Sequence, residues 1–216
     1  MNETIETVEY KGYHINIEHD FDPQNPRTEW DNIMNMLCFH SRYNLGDTTD
    51  LKSDMFDGWD EVEKHLIEEE GAVLIRPLYL YDHSGITISM SEFSCSWDSG
   101  CIGFIYLTKE KMQSVLGWKR LTEKRKAKAI EYMKGEVETY DDYLTGEVYG
   151  FNIEETDDSC WGFYGYDHDK SGLLEHAQNS IDCEIECKKK KHFTKLKWWI
   201  KNKVPVIYRE PLCLAN

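Results

Sequence analysis

The hydrophobic positions of the N-terminal region show two different periods. Apolar and polar residues alternate on both sides of a Lys-Gly turn, which predicts a β-hairpin over residues 5–19. The spacing then becomes helical from Trp30 to Leu37, behind Thr28, whose side chain can cap a helix. We therefore expect a hairpin followed by a short helix.

The next stretch changes from no period to a helical one. Residues 41–57 have no regular spacing of apolar positions and predict a loop. Residues 59–70 place Val62 and Leu66 on one side, end in three glutamates and are followed by Gly71, a residue typical of helix C-termini. This pattern predicts a second short helix.

The middle of the chain is rich in strand-forming residues. The runs 72–81, 86–90 and 101–107 are β-branched or aromatic and are separated by Gly, Asp and Ser. Two further runs, 147–155 and 159–166, are joined by a short acidic turn. We expect these runs to supply about five strands of a sheet.

Helices are predicted between and after these runs. Thr108 can cap a short helix, and Thr122 can cap a longer one that reaches Gly146 and carries a hydrophobic stripe at helical spacing. A last helical stretch begins near Ser171 and continues with breaks to Lys203, after which prolines stop regular structure.

Strands that cluster between helical flanks, without regular βαβ alternation, predict an α+β fold with a mostly antiparallel sheet. In this interpretation residues 1–180 form a single α+β domain, and residues 181–216 form a basic helical extension that packs on the domain or on a partner. The length of 216 residues suits this arrangement, since one domain usually holds about 100–200 residues.

Charge is strongly segregated along the chain, which has 40 acidic and 25 basic residues and a formal net charge of −15. The net charge is −13 over residues 1–70 and −14 over 136–187, but +5 over 118–135 and +8 over 188–216. Blocks of opposite sign produce strong local electric fields, so we expect charge to guide the choice of partner.

Some protein classes have no supporting pattern in the sequence. No apolar run approaches the roughly 18 residues that span a bilayer, and the acidic N-terminus lacks the pattern of a signal peptide, so we expect a cytoplasmic protein. Seven scattered cysteines favour free thiols over disulfides. Neither a G-x-S-x-G nucleophile elbow nor a Gly-rich phosphate loop occurs, so we expect no cofactor.

One group of side chains leaves a metal-binding or enzymatic alternative open. Its members are His83, Cys95, Cys101 and Cys160, with Asp82 and Asp98 beside them. These thiols and the imidazole would satisfy tetrahedral zinc if two similar stretches, 94–106 and 158–164, were neighbouring strands. The cysteine spacing is not that of zinc ribbons, and cysteine in strands is usually a small buried hydrophobe, so we expect no metal.

The C-terminal region combines lysine with tryptophan. The residues concerned are Lys188, Lys189, Lys190, Lys191, Lys195, Lys197, Trp198 and Trp199. A lysine-rich amphipathic helix with tryptophan can bind nucleic acid, dock on acidic residues of the same protein or of another subunit, or lie on an anionic membrane. We keep nucleic acid as the alternative partner and expect no membrane.

Several long strings in the sequence resemble one protein family. They are GAVLIRPLYLYDHSGITIS, FSCSWDSGCIGFIY, GEVETYDDYLTGEVYGF and DSCWGFYG, and the likeness covers about residues 38–176, with a matching basic motif near KNKVPVIYR. The family is an uncharacterised one that is spread through bacteriophages, plasmids and integrative elements, with no established activity and no catalytic residues. The resemblance implies a gene of a mobile element in a host bacterium, where small accessory proteins often counteract host defence.

These observations lead to one main hypothesis. We expect a non-enzymatic phage or mobile-element protein that binds and inhibits a host nucleic-acid-processing defence complex, because spaced carboxylates can imitate phosphates and complementary charge speeds encounter. The expected acidic face consists of Asp47, Asp50, Asp54, Asp57, Asp60, Glu61, Glu68, Glu69, Glu70, Glu136, Glu138, Asp141 and Asp142.

Overall fold

Within residues 4–206, which the computed structural model describes, there are eight strands and four helices. The strands are β1 (Thr4–Tyr10), β2 (Tyr13–His19), β3 (Asn35–Cys38), β4 (Ala72–Asp82), β5 (Ile86–Ser89), β6 (Ser99–Thr108), β7 (Val148–Ile153) and β8 (Asp158–Tyr164). The helices are α1 (Trp59–Glu68), α2 (Lys109–Ser114), α3 (Glu123–Thr145) and α4 (Leu173–Lys203), and one 3₁₀ turn covers Ser53–Met55.

The strands form two four-stranded sheets, with the orders β1-β2-β7-β8 and β3-β6-β4-β5. Strand β1 pairs with β2 in the antiparallel sense, as do β3 with β6, β6 with β4 and β4 with β5. The expected α+β fold with mostly antiparallel strands is confirmed. The five strands expected in the middle of the chain are all present, and they are divided between the two sheets.

Contacts group the described residues into two compact units. The first consists of residues 4–18, 150–160 and 167–206, and the second of residues 19–149 and 161–166. In the first unit, Leu173, Ala177 and Ile181 of α4 recur every four residues and are fully buried, as are Ile15 and Ile17 of β2. The proximal part of α4 therefore belongs to the core of this unit.

The second unit is built around β6, which is covered on both faces. Ile105 belongs to a core that α3 lines with Ala129, Met133, Val137 and Tyr140, the stripe expected from the sequence. Phe104, one position earlier and on the other face, clusters with Val62 and Leu66 of α1. Burial on both faces explains why this strand has a continuous hydrophobic run and not an alternating one.

The prediction of a helix over residues 28–37 is wrong. Turns and the strand Asn35–Cys38 occupy this stretch, and the strand pairs with β6. The backbone N–H groups of Ile33 and Met34 donate hydrogen bonds to Glu136 Oε1, both at 3.0 Å. Pairing with a buried strand and a carboxylate from α3 outweighs the local helical spacing, and neither partner is part of the local sequence.

Most other expected elements are confirmed. The hairpin corresponds to β1 and β2, the loop over 41–57 contains the 3₁₀ turn, and the short helix is α1. The side chains of Thr108 and Thr122 cap α2 and α3 by accepting backbone N–H groups. Helix α4 is continuous over 31 residues where breaks were expected. Residues 207–216, the end of the expected basic extension, lie outside the described residues.

Candidate interaction surfaces

The exposed carboxylates on α1 and in the segments just before and after it are called the acidic surface here. Its members are Asp50, Asp54, Asp57, Asp60, Glu61, Glu63, Glu68, Glu69 and Glu70, all of them exposed. Glu63 was not among the acidic residues expected from the sequence, although its position between Glu61 and Glu68 in the predicted helix could have indicated it. None of these side chains, nor Lys52 and Lys64 among them, forms an ion pair with another described residue. Their charges face solvent.

The buried side of α1 fixes the direction in which its carboxylates point. Val62 and Leu66 are 2% and 0% exposed. Burying a side chain of this size contributes about 1.5–3 kcal/mol, which holds the helix on the sheet. With about 3.6 residues per turn, Asp60, Glu61 and Glu68 then fall on the solvent side. The four carboxylates on α1 are thus carried by a rigid element.

Two of the expected acidic residues instead hold a buried arginine. The side chain of Arg27 is fully enclosed, and it donates to Asp47 Oδ1 at 2.8 Å, to Glu136 Oε2 at 2.8 Å and to the carbonyl oxygen of Met34 at 3.0 Å. The second oxygen of Asp47 accepts the backbone N–H of Met36 at 2.8 Å, and that of Glu136 accepts two further backbone N–H groups. These carboxylates join a loop to α3 and are not part of the acidic surface.

The other three expected acids of α3 differ from one another. Asp141 Oδ1 accepts hydrogen bonds from Thr87 Oγ1 at 2.6 Å and from the backbone N–H of Ile88 at 2.7 Å. Asp142 is half-buried, and burial, together with the charge of Asp141, raises its pKa to about 6. Glu138 is exposed and pairs with a lysine one turn earlier. Two of these three carboxylates therefore face the inside of the second unit.

The four residues of the metal-binding alternative are not brought together. Cys160 lies on β8, which belongs to the other sheet from β6, so the two similar stretches are not neighbouring strands and the condition for this site is not met. His83 Nδ1 and Cys95 Sγ both contact Asp98 Oδ2, at 3.2 and 3.8 Å. Burial raises the pKa of Cys101, which favours its thiol form. No three of the four place ligand atoms within 4.8 Å of one another.

The same region does not form a nucleophile–base pair. Asp82 forms an ion pair with Arg42 and accepts a hydrogen bond from the hydroxyl of Tyr43 at 3.4 Å. The carboxylate that contacts His83 is that of Asp98. A catalytic thiol would have to contact the imidazole that deprotonates it, whereas the thiol here contacts the carboxylate.

A polar cavity lies near the start of the acidic surface. Its volume is about 540 Å³, and its lining comes from residues between Cys38 and Asp54. Burial raises the pKa of Cys38 to about 12, so its thiol is not a nucleophile at neutral pH. The lining offers hydrogen-bonding groups, and its one thiol stays protonated.

One group of side chains in the first unit was not expected from the sequence. His14, Glu154 and Glu155 place possible ligand atoms within 4.8 Å of one another. The backbone N–H and the ring Nδ1 of His14 form hydrogen bonds with the carboxylate of Glu155, at 2.9 and 2.6 Å. These bonds lower the pKa of Glu155 and raise the pKa of His14. All three residues are exposed, and these hydrogen bonds account for the closeness of His14 and Glu155. They meet because β2 and β7 are sheet neighbours, which the sequence does not reveal.

The distal part of α4, residues 188–203, is called the basic helix here. It contains eight lysines and no acidic residue, and every residue from 188 to 199 is exposed. Its start is held by Lys188, whose ammonium group donates to the hydroxyl of Tyr13 at 3.1 Å. One helix therefore combines a buried proximal part with a strongly cationic, solvent-exposed distal part.

No family model, curated protein or solved structure matches the chain in comparisons with known proteins. Among the described helices, none has the length and apolar character needed to cross a membrane. The resemblance to proteins of mobile elements stays a prediction, and functional inference rests on the two charged surfaces.

Proposed function

We propose that this chain is a non-enzymatic binding protein, encoded by a phage or mobile element, whose acidic surface occupies the basic nucleic-acid-binding groove of a host defence complex. The observation that supports the proposal is the set of nine exposed carboxylates within residues 50–70, none of which is paired with a cation among the described residues. A partner can bind them without breaking an internal ion pair.

The length of α1 suits the imitation of a nucleic-acid strand. Asp60 and Glu68 are eight residues apart, or about 12 Å along a helix that rises 1.5 Å per residue. One strand of duplex DNA carries three to four phosphates over about the same length, at roughly 3.4 Å per nucleotide. Helix α1 carries four carboxylates in this span, at Asp60, Glu61, Glu63 and Glu68.

Rigidity and charge act on different parts of the binding reaction. Because the buried side of α1 fixes the helix before binding, less conformational entropy is lost when a partner docks. Complementary charge raises the association rate, and salt lowers that rate by screening the charges. We expect tight binding at low ionic strength that weakens as salt is added.

The experiment that tests the proposal compares three tagged proteins in capture from a lysate of a defence-carrying host, after nuclease treatment. They are the wild type, an acidic-surface variant (Asp60→Lys, Glu61→Lys and Glu68→Lys) and a control with the same change in net charge at exposed positions elsewhere (Glu6→Lys, Glu9→Lys and Glu131→Lys). Mass spectrometry identifies the captured proteins.

We expect the wild type and the control to capture one nucleic-acid-processing complex that the acidic-surface variant does not retain. Equal capture by the variant and the control would contradict the proposal, because the carboxylates of α1 would then be dispensable. Capture of nothing by the wild type at low salt would contradict it as well.

A further inference from the structure

The basic helix has two unlike sides. With about 3.6 residues per turn, residues spaced by three and four form rows along a helix. Two adjacent rows contain Lys188, Lys190, Lys191, Thr194, Lys195, Lys197, Trp198 and Lys201, which we call the lysine side. The opposite side carries the apolar residues Phe193, Leu196 and Ile200, with Lys189 and Lys203 among them.

The apolar side is not fully available to a partner. Ile200, at its centre, is only 8% exposed, although the twelve residues before it are exposed. On the lysine side, Lys191, Lys195 and Lys201 form no ion pair with any described residue. The cationic surface is therefore free for binding.

Trp198 is the feature of the lysine side that packing does not explain. Its side chain is 60% exposed and stands among lysines, away from the apolar side. In helices that lie on membranes, aromatic residues belong to the apolar side, which enters the lipid. The position of Trp198 therefore argues against a lipid surface and for a ligand that offers both negative charge and an aromatic face.

We propose that the lysine side of the basic helix binds single-stranded nucleic acid. Trp198 stacks on an unpaired base, and Lys195 and Lys201, three residues before and after it, contact the phosphates on either side. Lys191, one turn before Lys195, contacts a further phosphate. Lysine–phosphate contacts supply affinity that is independent of sequence, and stacking on tryptophan accepts any base. An unpaired base is required because the bases of a duplex are already stacked on one another. This site is separate from the acidic surface, and its existence does not depend on the function proposed for that surface.

The test measures binding of the full chain to a fluorescent 20-nucleotide oligothymidylate by anisotropy, between 50 and 200 mM salt. We expect Trp198→Ala to lower the affinity by about tenfold with an unchanged salt dependence, since stacking on one base contributes about 1–3 kcal/mol. Replacing Lys191, Lys195 and Lys201 with glutamine is expected to reduce the slope of log affinity against log salt by about two, at about 0.7 for each lost phosphate contact.

Two controls separate this site from general effects of aromatic side chains and of charge. Phe193→Ala removes an exposed aromatic side chain from the opposite side of the helix and is expected to change affinity less than twofold. Replacing Lys109, Lys119 and Lys124 with glutamine removes the same charge from exposed positions of the second unit and is expected to leave the salt slope unchanged. Circular dichroism shows whether each variant keeps its helix content.

Three results would overturn the inference. They are no binding of the oligonucleotide at 50 mM salt, equal losses from Trp198→Ala and Phe193→Ala, and binding of a 20-base-pair duplex that is as tight as that of the single strand. Binding to vesicles with one quarter anionic phospholipid, without binding to the oligonucleotide, would assign the helix to a membrane surface and would also overturn it.

Discussion

The carboxylates of α1 and those in the C-terminal half of α3 each cluster on one helix but differ in what they do. On α1 they face solvent and have no ion pairs among the described residues, whereas on α3 Glu136 and Asp141 accept hydrogen bonds from buried groups of the second unit. The difference shows that the partners of a carboxylate, more than the local density of acids, decide whether its charge is available for binding. The four predictions below test this distinction.

The largest effect is expected at Glu136. Glu136→Gln should lower the free energy of unfolding by about 3–5 kcal/mol, because it leaves the buried charge of Arg27 with one carboxylate instead of two. Glu138→Gln, two residues further along the same helix, should change it by less than about 0.5 kcal/mol, because its side chain is exposed. Chemical denaturation of both variants measures the difference. Equal effects would contradict the structural role of Glu136.

A smaller loss is expected at Asp141. Asp141→Ala should cost about 1–3 kcal/mol, since it leaves the backbone N–H of Ile88 and the hydroxyl of Thr87 without their acceptor. Amide hydrogen exchange at Ile88 should accelerate in the variant. An exchange rate at Ile88 that is the same in Asp141→Ala as in the control Glu138→Ala would show that this hydrogen bond does not stabilise the protein.

A substitution of Asp142 should raise the stability of the protein, in contrast to the two above, and the size of this effect should depend on pH. Its pKa is raised from 3.8 to about 6 in the folded protein, so folding favours the protonated form and stability falls as pH rises through this interval. Asp142→Asn should therefore stabilise the protein above pH 6, by about 1 kcal/mol because solvent screens a half-buried group, and should lose this advantage near pH 4. Thermal unfolding at pH 4 and pH 8 measures it, and a stabilisation that is the same at both pH values would contradict this account.

The smallest effect is expected at the end of α1. Replacing Glu68, Glu69 and Glu70 with glutamine should leave stability unchanged or raise it by about 0.3–1 kcal/mol, because negative charge is unfavourable at a helix C-terminus. Thermal unfolding checks this. A loss of more than 1 kcal/mol would show that these carboxylates have structural partners and do not form a free surface.

The elements formed by local patterns could be predicted from the sequence. Alternation identified the hairpin, the spacing of Ala129, Met133, Val137 and Tyr140 identified the buried side of α3, and threonines identified two helix starts. These features depend on neighbours within a few turns of chain. The class of the fold followed from their order.

Features that depend on distant residues could not be predicted. The segment before β3 has helical spacing, but its N–H groups are accepted by Glu136, about a hundred residues away. Cys101 and Cys160 lie in similar stretches, yet the two stretches belong to different sheets. Likewise, nothing in the sequence near Asp47 or Glu136 indicates that a buried arginine takes both carboxylates.

The acidic surface and the basic helix were both visible in the sequence as blocks of charge, but their exposure was not. The structure separates the nine exposed acids near α1 from the internal ones, and it shows tryptophan exposed among lysines on α4. Blocks of charge in the sequence thus indicate the two candidate binding regions. Burial and hydrogen bonds then show which residues within them are free to bind.

The most direct test of the central claim is a competition between this protein and nucleic acid for the captured complex. The protein used carries Trp198→Ala with Lys191, Lys195 and Lys201 replaced by glutamine, so that its basic helix cannot bind the competitor. Increasing amounts of an oligonucleotide substrate of the complex are added, and the complex released from the immobilised protein is measured. We expect complete displacement, because the acidic surface and the phosphates occupy one groove. A stable assembly that holds the protein, the complex and the oligonucleotide together would contradict it.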